Sequence, residues 1–206
     1  MARPACRSPS FRLQFLIAGL VLSLIGCVNT EPIALHLPYG SLTTSRFDQT
    51  EKNESCRIVI TAVKDERPNR ETLGYSGTRP LVAEHVTEWI QSRLGTLNRD
   101  GYTLQSAPGD FMPTTSYLTG EVGVRRIYAR TLTMTFEAVV TIAGRFRGGE
   151  DGVPERQYRG SSTKVNWMNG NWEIIGILNE ALDDALSQMG EDLKMLCRRN
   201  GLQMHQ

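Results

Sequence analysis

From Cys56 onward the chain alternates between two hydrophobic periods. Arg57 to Val63 is β-branched and alternating, which predicts a strand ending near Lys64, where Asp65, Arg67, Pro68 and Asn69 supply turn chemistry. Between Pro80 and Leu97 the apolar positions Leu81, Val82, Val86, Trp89, Ile90 and Leu94 recur every three to four residues. That spacing predicts an amphipathic helix entered through a proline and stopped by Asp100 and Gly101. Tyr102 to Ala107 reads as a short strand. Period two then returns in its clearest form: Leu118, Gly120, Val122 and Val124 share one face of a strand. Leu132, Met134, Phe136, Ala138, Val140, Ile142 and Phe146 share one face of the next. After a Gly148 to Pro154 loop, Arg156 to Val165 supplies a partner strand. Asn169 and Gly170 turn into a last helix from Glu173 to about Arg198, with Ile174, Leu178, Ala181, Leu182, Ala185, Leu186, Met189, Leu193 and Leu196 as its apolar stripe. Strand, helix, several strands and helix predict an α/β fold, a two-layer sandwich with a mainly antiparallel sheet and two helices on one face.

The N-terminus follows a different logic. Arg3, Arg7 and Arg12 precede an apolar stretch from Leu13 to Ile25, a charged region and a short hydrophobic core of a secretory leader. It ends in Leu24, Ile25, Gly26 and Cys27, which resembles the bacterial lipobox. That resemblance implies cleavage before Cys27 and acylation of its sulfur and freed amine, an attachment that several chains make firm. Val28 rather than aspartate follows the cysteine, which by the same resemblance implies the outer membrane over the inner. The chain therefore divides into a signal peptide (1–26), a lipidated tether with a short edge strand around Ile33 to Leu37 (27–55), an α/β domain (56–198) and a tail (199–206). No apolar run after Cys27 is long enough to span a bilayer.

Removing the leader leaves 180 residues, enough for one domain and a tether, with 20 basic against 22 acidic side chains. Without a basic excess, nucleic acid is not an expected partner. Cys6 leaves with the leader and Cys27 carries lipid, so Cys56 and Cys197 remain in an oxidising compartment. Two readings stay open: one disulfide between them, or Cys56 packed beneath the strand with Cys197 at the helix end. A Cα separation above about 7 Å excludes the bond.

The order of features resembles the YajG family of bacterial lipoproteins. It rests on the lipobox cysteine, the Ile33 to Pro38 segment, the Asp65, Glu66, Arg67 turn followed by Gly74, and the Asp100, Gly101, Tyr102 stop. Tyr158, Arg159 and Gly160 in the hairpin, and Asn179, Ala181 and Leu182 in the terminal helix, complete it. The resemblance implies this fold and an envelope location, and it carries over no catalytic residue.

Candidate chemistry is sparse. His36, His85 and His205 have no metal-ligand spacing, and no cofactor motif is present. Gly74 to Thr78 lacks the final glycine of a nucleophile elbow around Ser76. Glu84 and Glu88 share a helix face and read as solvated carboxylates, while Asp65 with Arg67 reads as a salt-bridged turn. Arg125, Arg126, Arg130, Arg145, Arg147, Arg156 and Arg159 gather in one hairpin region, and guanidinium groups bind phosphate and carboxylate through paired hydrogen bonds. They are the candidate anion or partner surface, set against an ordinary solvated sheet face. Trp167, Met168 and Trp172, around the Asn169 to Asn171 turn, either cap the core, the commoner case and the expectation here, or form an exposed docking patch. Together these features point to a non-enzymatic binding or accessory lipoprotein. Its partners are the membrane, through lipid on Cys27, and an envelope protein or anionic glycolipid. A hydrolase with a hidden site and a purely structural component are the alternatives.

Overall fold

The computed structural model describes residues 30–38, 56–100, 103–106, 117–148, 151–152, 154–168 and 170–199. The leader, the lipobox with Cys27, most of the tether and the tail after Arg199 lie outside the described residues. In chain order the elements are β1 (Ile33–Ala34), β2 (Arg57–Asp65), β3 (Gly74–Ser76), β4 (Arg79–Val82), α1 (Val86–Leu94), a 3-10 segment (Gly95–Asp100) and β5 (Thr103–Ser106). β6 (Tyr117–Thr131), β7 (Thr135–Gly148), β8 (Asp151–Gly152), β9 (Arg156–Val165) and α2 (Asn171–Arg199) follow.

The strands form one nine-stranded sheet built on the β6–β7 hairpin. β9 and β8 pair antiparallel along the far edge of β7. On its other edge β6 has two neighbours in succession: β2 runs parallel to it as far as Val124, and β3 joins parallel from Ala129. β5 lies outside β2, and β4 then β1 lie outside β3. The sheet is thus mixed, with its two longest ladders antiparallel. Both helices cover one face, giving the two-layer α/β arrangement.

Burial explains this arrangement. Leu118, Val122 and Val124 of β6, and Phe136, Ala138, Val140, Ile142 and Phe146 of β7, are buried on the helix side. The α2 stripe from Ile174 to Leu193 is buried against them. A large apolar side chain removed from water contributes about 1.5–3 kcal/mol, so this interface dominates the fold. It is close enough to require glycine at 160 on β9, where a Cβ would lie 1.9 Å from the Ala181 carbonyl oxygen and 2.5 Å from the Ala185 nitrogen. α1 lies beside α2, joined by Trp89 Nε1 donating to Asn179 Oδ1 (2.9 Å) and by an Arg93–Asp183 ion pair. Cys56, just before β2, is bonded to Cys197 near the end of α2 with their Cα atoms 5.9 Å apart, inside the limit for the bond.

The helix expected over Pro80 to Leu97 is shorter and begins at Val86. Ser76 and Arg79 face each other across the two-residue turn Gly77–Thr78, with Gly77 at φ +59°. A tight hairpin with a left-handed residue competes successfully for Leu81 and Val82, whose spacing fits either period. The long hairpin also turns at Leu132 to Met134, which the pattern places in a buried strand face. Both side chains are exposed instead, because Leu132 N donates to Thr135 O across the turn.

Candidate functional site

The alternation of β6 slips by one residue in its middle. Leu118, Val122 and Val124 face the core, and so do Ile127 and Ala129, because a bulge between Val124 and Arg126 inserts Arg125 into the ladder. A bulge increases local twist and re-aims side chains; here it sets Arg125 and Arg126 on the face opposite the helices. At the same level β2 departs. Glu66 N donates to Val124 O (3.0 Å), and the loop returns to the β6 edge where Ala129 N donates to Leu73 O (2.6 Å). Residues 66–73 therefore border a gap in the pairing of β6, beside the bulge.

An ion cluster fills one side of this region. Glu66 folds over Gly123, where a Cβ would come within 2.3 Å of its Oε2. It reaches Arg125 and Arg145, each at 3.3 Å. Glu155 bridges the same two arginines at 2.6 Å each, and Glu121 links Arg145 (3.8 Å) to Lys64 (2.7 Å). Hydrogen bonds from Arg145 and then Arg125 hold the Glu155 carboxyl below its usual range, and the bond to Glu155 raises Arg145. Arg130 pairs with Glu137 at 2.6 Å. These arginines are largely neutralised, which is how a solvated sheet face is ordinarily built.

The other side is different. Arg67 is 5% exposed, and its Nε and Nη2 fork onto Asp65 at 2.9 and 2.8 Å. Burial pushes the Asp65 carboxyl up, but the hydrogen bonds and charge of Arg67 outweigh it and hold the group below its ordinary value. The remaining nitrogen, Arg67 Nη1, is buried without a hydrogen-bond partner among the described residues, and so is Arg125 Nε. Both arginines line a recess of about 340 Å³, together with Arg126, Asn69, Tyr75 and Tyr128. The Arg126 guanidinium sits 5.4 Å from the Tyr128 ring centroid and has no carboxylate at ion-pair distance among the described residues. A buried donor left unsatisfied costs about 1–3 kcal/mol, more when charged. A carboxylate or phosphate oxygen that reached either nitrogen would remove that cost through charge-assisted hydrogen bonds.

The seven arginines singled out from the sequence do not form one surface. Arg125 and Arg126 line the recess, Arg145 is tied into the ion cluster, and Arg130 is paired. Arg159 lies across Thr141 from Arg126 in the ladder, and Arg147 lies opposite Thr119. Arg156 leaves the group: it points to the helix side and pairs with Asp192 of α2 at 2.8 Å, since alternation puts it on the same face as buried Tyr158. Burial first, then Asp192, pushes the Tyr158 hydroxyl pKa up. Arg67, which completes the recess, is the residue that reasoning from the hairpin missed. The shift from even to odd apolar positions across Arg125 is the signal that marks the bulge.

The remaining candidates fall elsewhere. Ser76 Oγ accepts a hydrogen bond from Thr131 Oγ1 (2.9 Å), and Glu84 and Glu88 have side chains 94% and 48% exposed. Trp167, Met168 and Trp172 do not cap the core. They are 81%, 75% and 65% exposed, because Glu173 draws the loop backbone inward. Its carboxylate accepts from the N–H groups of Trp167 (3.2 Å), Met168 (3.3 Å) and Gly170 (3.0 Å), which leaves the side chains facing out. No helix of the described residues is long and apolar enough to cross a membrane.

No protein-family model and no curated protein sequence matches this chain. Among solved structures it is similar to a DUF330-family protein from Xanthomonas campestris, with 9% identity, a TM-score of 0.49, and coverage of 71% of this chain and 88% of that one. It is also similar to the minor lipoprotein of Acinetobacter baumannii, with 11% identity, a TM-score of 0.39 and coverage of 72% and 98%. Rare lipoprotein B of Shewanella oneidensis shows 8% identity, a TM-score of 0.37 and coverage of 68% and 98%.

Proposed function

We propose that this chain is a lipid-anchored envelope protein of the YajG type that acts as a non-enzymatic binding module, taking an anionic group in the recess beside the β6 bulge. The observation that carries the binding reading is the pair of buried, unpartnered guanidinium nitrogens, Arg67 Nη1 and Arg125 Nε, on residues that line one cavity. The anchor and the outer-membrane address rest on the lipobox at Cys27 and on Val28 after it. The group recognised is a phosphate or carboxylate, presented by a glycolipid headgroup or by an acidic stretch of an envelope protein. Tyr75 and Tyr128 supply ring surface beside the charge, which suits a phosphate or carboxylate borne on a larger molecule.

The test is titration of the mature chain with three probes: inorganic phosphate, lipopolysaccharide and an acidic peptide. Arg67→Lys keeps charge but loses the planar fork, and Arg125→Met removes a donor. Each is expected to weaken binding about tenfold, the equivalent of the 1.4 kcal/mol that one lost charge-assisted bond readily exceeds. Arg147→Met, away from the recess, changes affinity less than about twofold, and added salt weakens the wild type. Lipopolysaccharide binding without peptide binding assigns a lipid source, and the reverse assigns a protein. Affinity for all three probes that ignores Arg67 and Arg125 would dismiss the recess. For the anchor, Cys27→Ser is expected to abolish fatty-acid labelling and release the protein from membranes.

A further inference from the structure

One end of the sheet gathers six of the eight large apolar side chains exposed among the described residues, Tyr75 and Met195 being the others. Leu132 and Met134 stand at the tip of the β6–β7 hairpin, and Val165 ends β9 directly opposite Thr135. Trp167, Met168 and Trp172 follow on the loop into α2, fastened to the hairpin tip by Asn166 N donating to Met134 O (2.9 Å). All six are between 39% and 81% exposed. For Trp167 and Met168 the exposure is built in, since the Glu173 carboxylate holds their loop by its backbone.

The N-terminus emerges at this same end. Thr131, the last residue of β6, pairs with Ser76, and Ser76 pairs with Arg79 at the start of β4. Arg79 Nε donates to the carbonyl oxygen of Glu31 (3.0 Å), and β1 runs parallel to β4 from there. Glu31 is four residues after Cys27. At about 3.3–3.6 Å per residue, those four residues reach at most about 14 Å. A lipid on Cys27 thus holds Glu31, at the β1 edge of this end of the sheet, within about that distance of the bilayer.

We propose that the sheet end bearing Trp167 and Trp172 lies against the membrane that anchors Cys27, with its tryptophans and methionines in the interfacial layer. This rests on the lipid-anchor reading. Tryptophan is suited to that layer because its ring is apolar while its N–H reaches water or headgroups. Exposed apolar area of this kind, at the end of the sheet where the tether enters, has bilayer as its matching occupant. The contact also fixes the orientation of the domain: the strands stand away from the membrane, and the arginine-lined recess, midway along β6, opens to the side.

The chain has three tryptophans, which makes the test direct. The third, Trp89, is fully buried and acts as an internal reference. The full-length protein, purified after processing and labelled with fatty acid, is reconstituted in phosphatidylethanolamine–phosphatidylglycerol vesicles with and without brominated acyl chains. Bromine is expected to lower tryptophan emission about twofold, since interfacial rings sit within reach of the chains. In Trp167→Phe/Trp172→Phe the remaining emission, from Trp89, is expected to be unaffected by bromine; both substitutions are at exposed positions, and circular dichroism checks that the fold is retained. Labelled protein whose emission ignores bromine overturns this proposal and leaves the anchor standing, as would a protein partner or second copy covering the patch. Absence of label overturns the anchor and this proposal with it.

Discussion

Replacing both Cys56 and Cys197 with alanine is expected to cost about 3–5 kcal/mol, the lower end reflecting structure retained in the unfolded chain. The cross-link ties the residue before β2 to the end of α2 over a sequence separation of 141. For a loop of that length the chain-entropy relation removes about 17 cal/mol/K from the unfolded ensemble, about 5 kcal/mol at 25 °C. Both residues are fully buried, so the loss of two sulfur atoms from the core adds to the destabilisation. In a domain of this size each kcal/mol corresponds to about 2–4 °C, so the melting temperature is expected to fall by roughly 6–20 °C. Urea unfolding followed by circular dichroism, with and without reductant, checks this. The slope of free energy against urea should also rise, because an unfolded chain without the cross-link exposes more surface. Equal midpoints for the oxidised wild type, the reduced wild type and the double variant would refute the reasoning.

Gly160→Ala is expected to lower stability by about 1–3 kcal/mol, since the new methyl group meets α2 backbone that has no flexible side chain to give way; an unchanged melting temperature would show that α2 does not rest on β9. Acidification is expected to erase the contribution of the Asp65–Arg67 pair. The Asp65 carboxyl titrates lower in the folded state than its unfolded value of about 3.9, so its stabilisation is complete above that value and is lost as pH falls through the folded one. The stability gap between wild type and Asp65→Asn should therefore narrow as pH falls below the unfolded value and close as it passes through the lower folded one, and a gap independent of pH would count against the pair.

Much of the architecture is legible in the sequence because it depends on period. The stripe of α2 and the alternation of β2, and of β7 from Phe136 onward, each have a single physical solution. What escapes the pattern depends on contacts distant along the chain. Leu81 and Val82 fit helix and strand alike, and the hairpin at Gly77 decides for strand because β1 and β3 are there to pair with it. The recess escapes for the same reason. Arg67 belongs to the loop after β2, whereas Arg125 and Arg126 lie on β6, and parallel pairing of β2 with β6 brings them to one level. Counting arginines along the hairpin instead groups Arg156 with side chains on the opposite face. Of the two readings open for Trp167 and Met168, burial or exposure, the hydrogen bonds from their backbone to Glu173 accompany exposure, and no sequence period encodes them.

The central claim is that the recess beside the β6 bulge binds an anionic group through donors that are otherwise unsatisfied. Guanidinium resonances of the isotope-labelled protein, assigned by single arginine substitutions and followed during titration with inorganic phosphate at constant ionic strength, test it most directly. The account predicts that the signals of Arg67 and Arg125 shift together with one saturating curve, while Arg147 and Arg156 stay in place. Uniform small shifts across all arginines, or saturation at Arg147 and Arg159 with Arg67 unmoved, would contradict it.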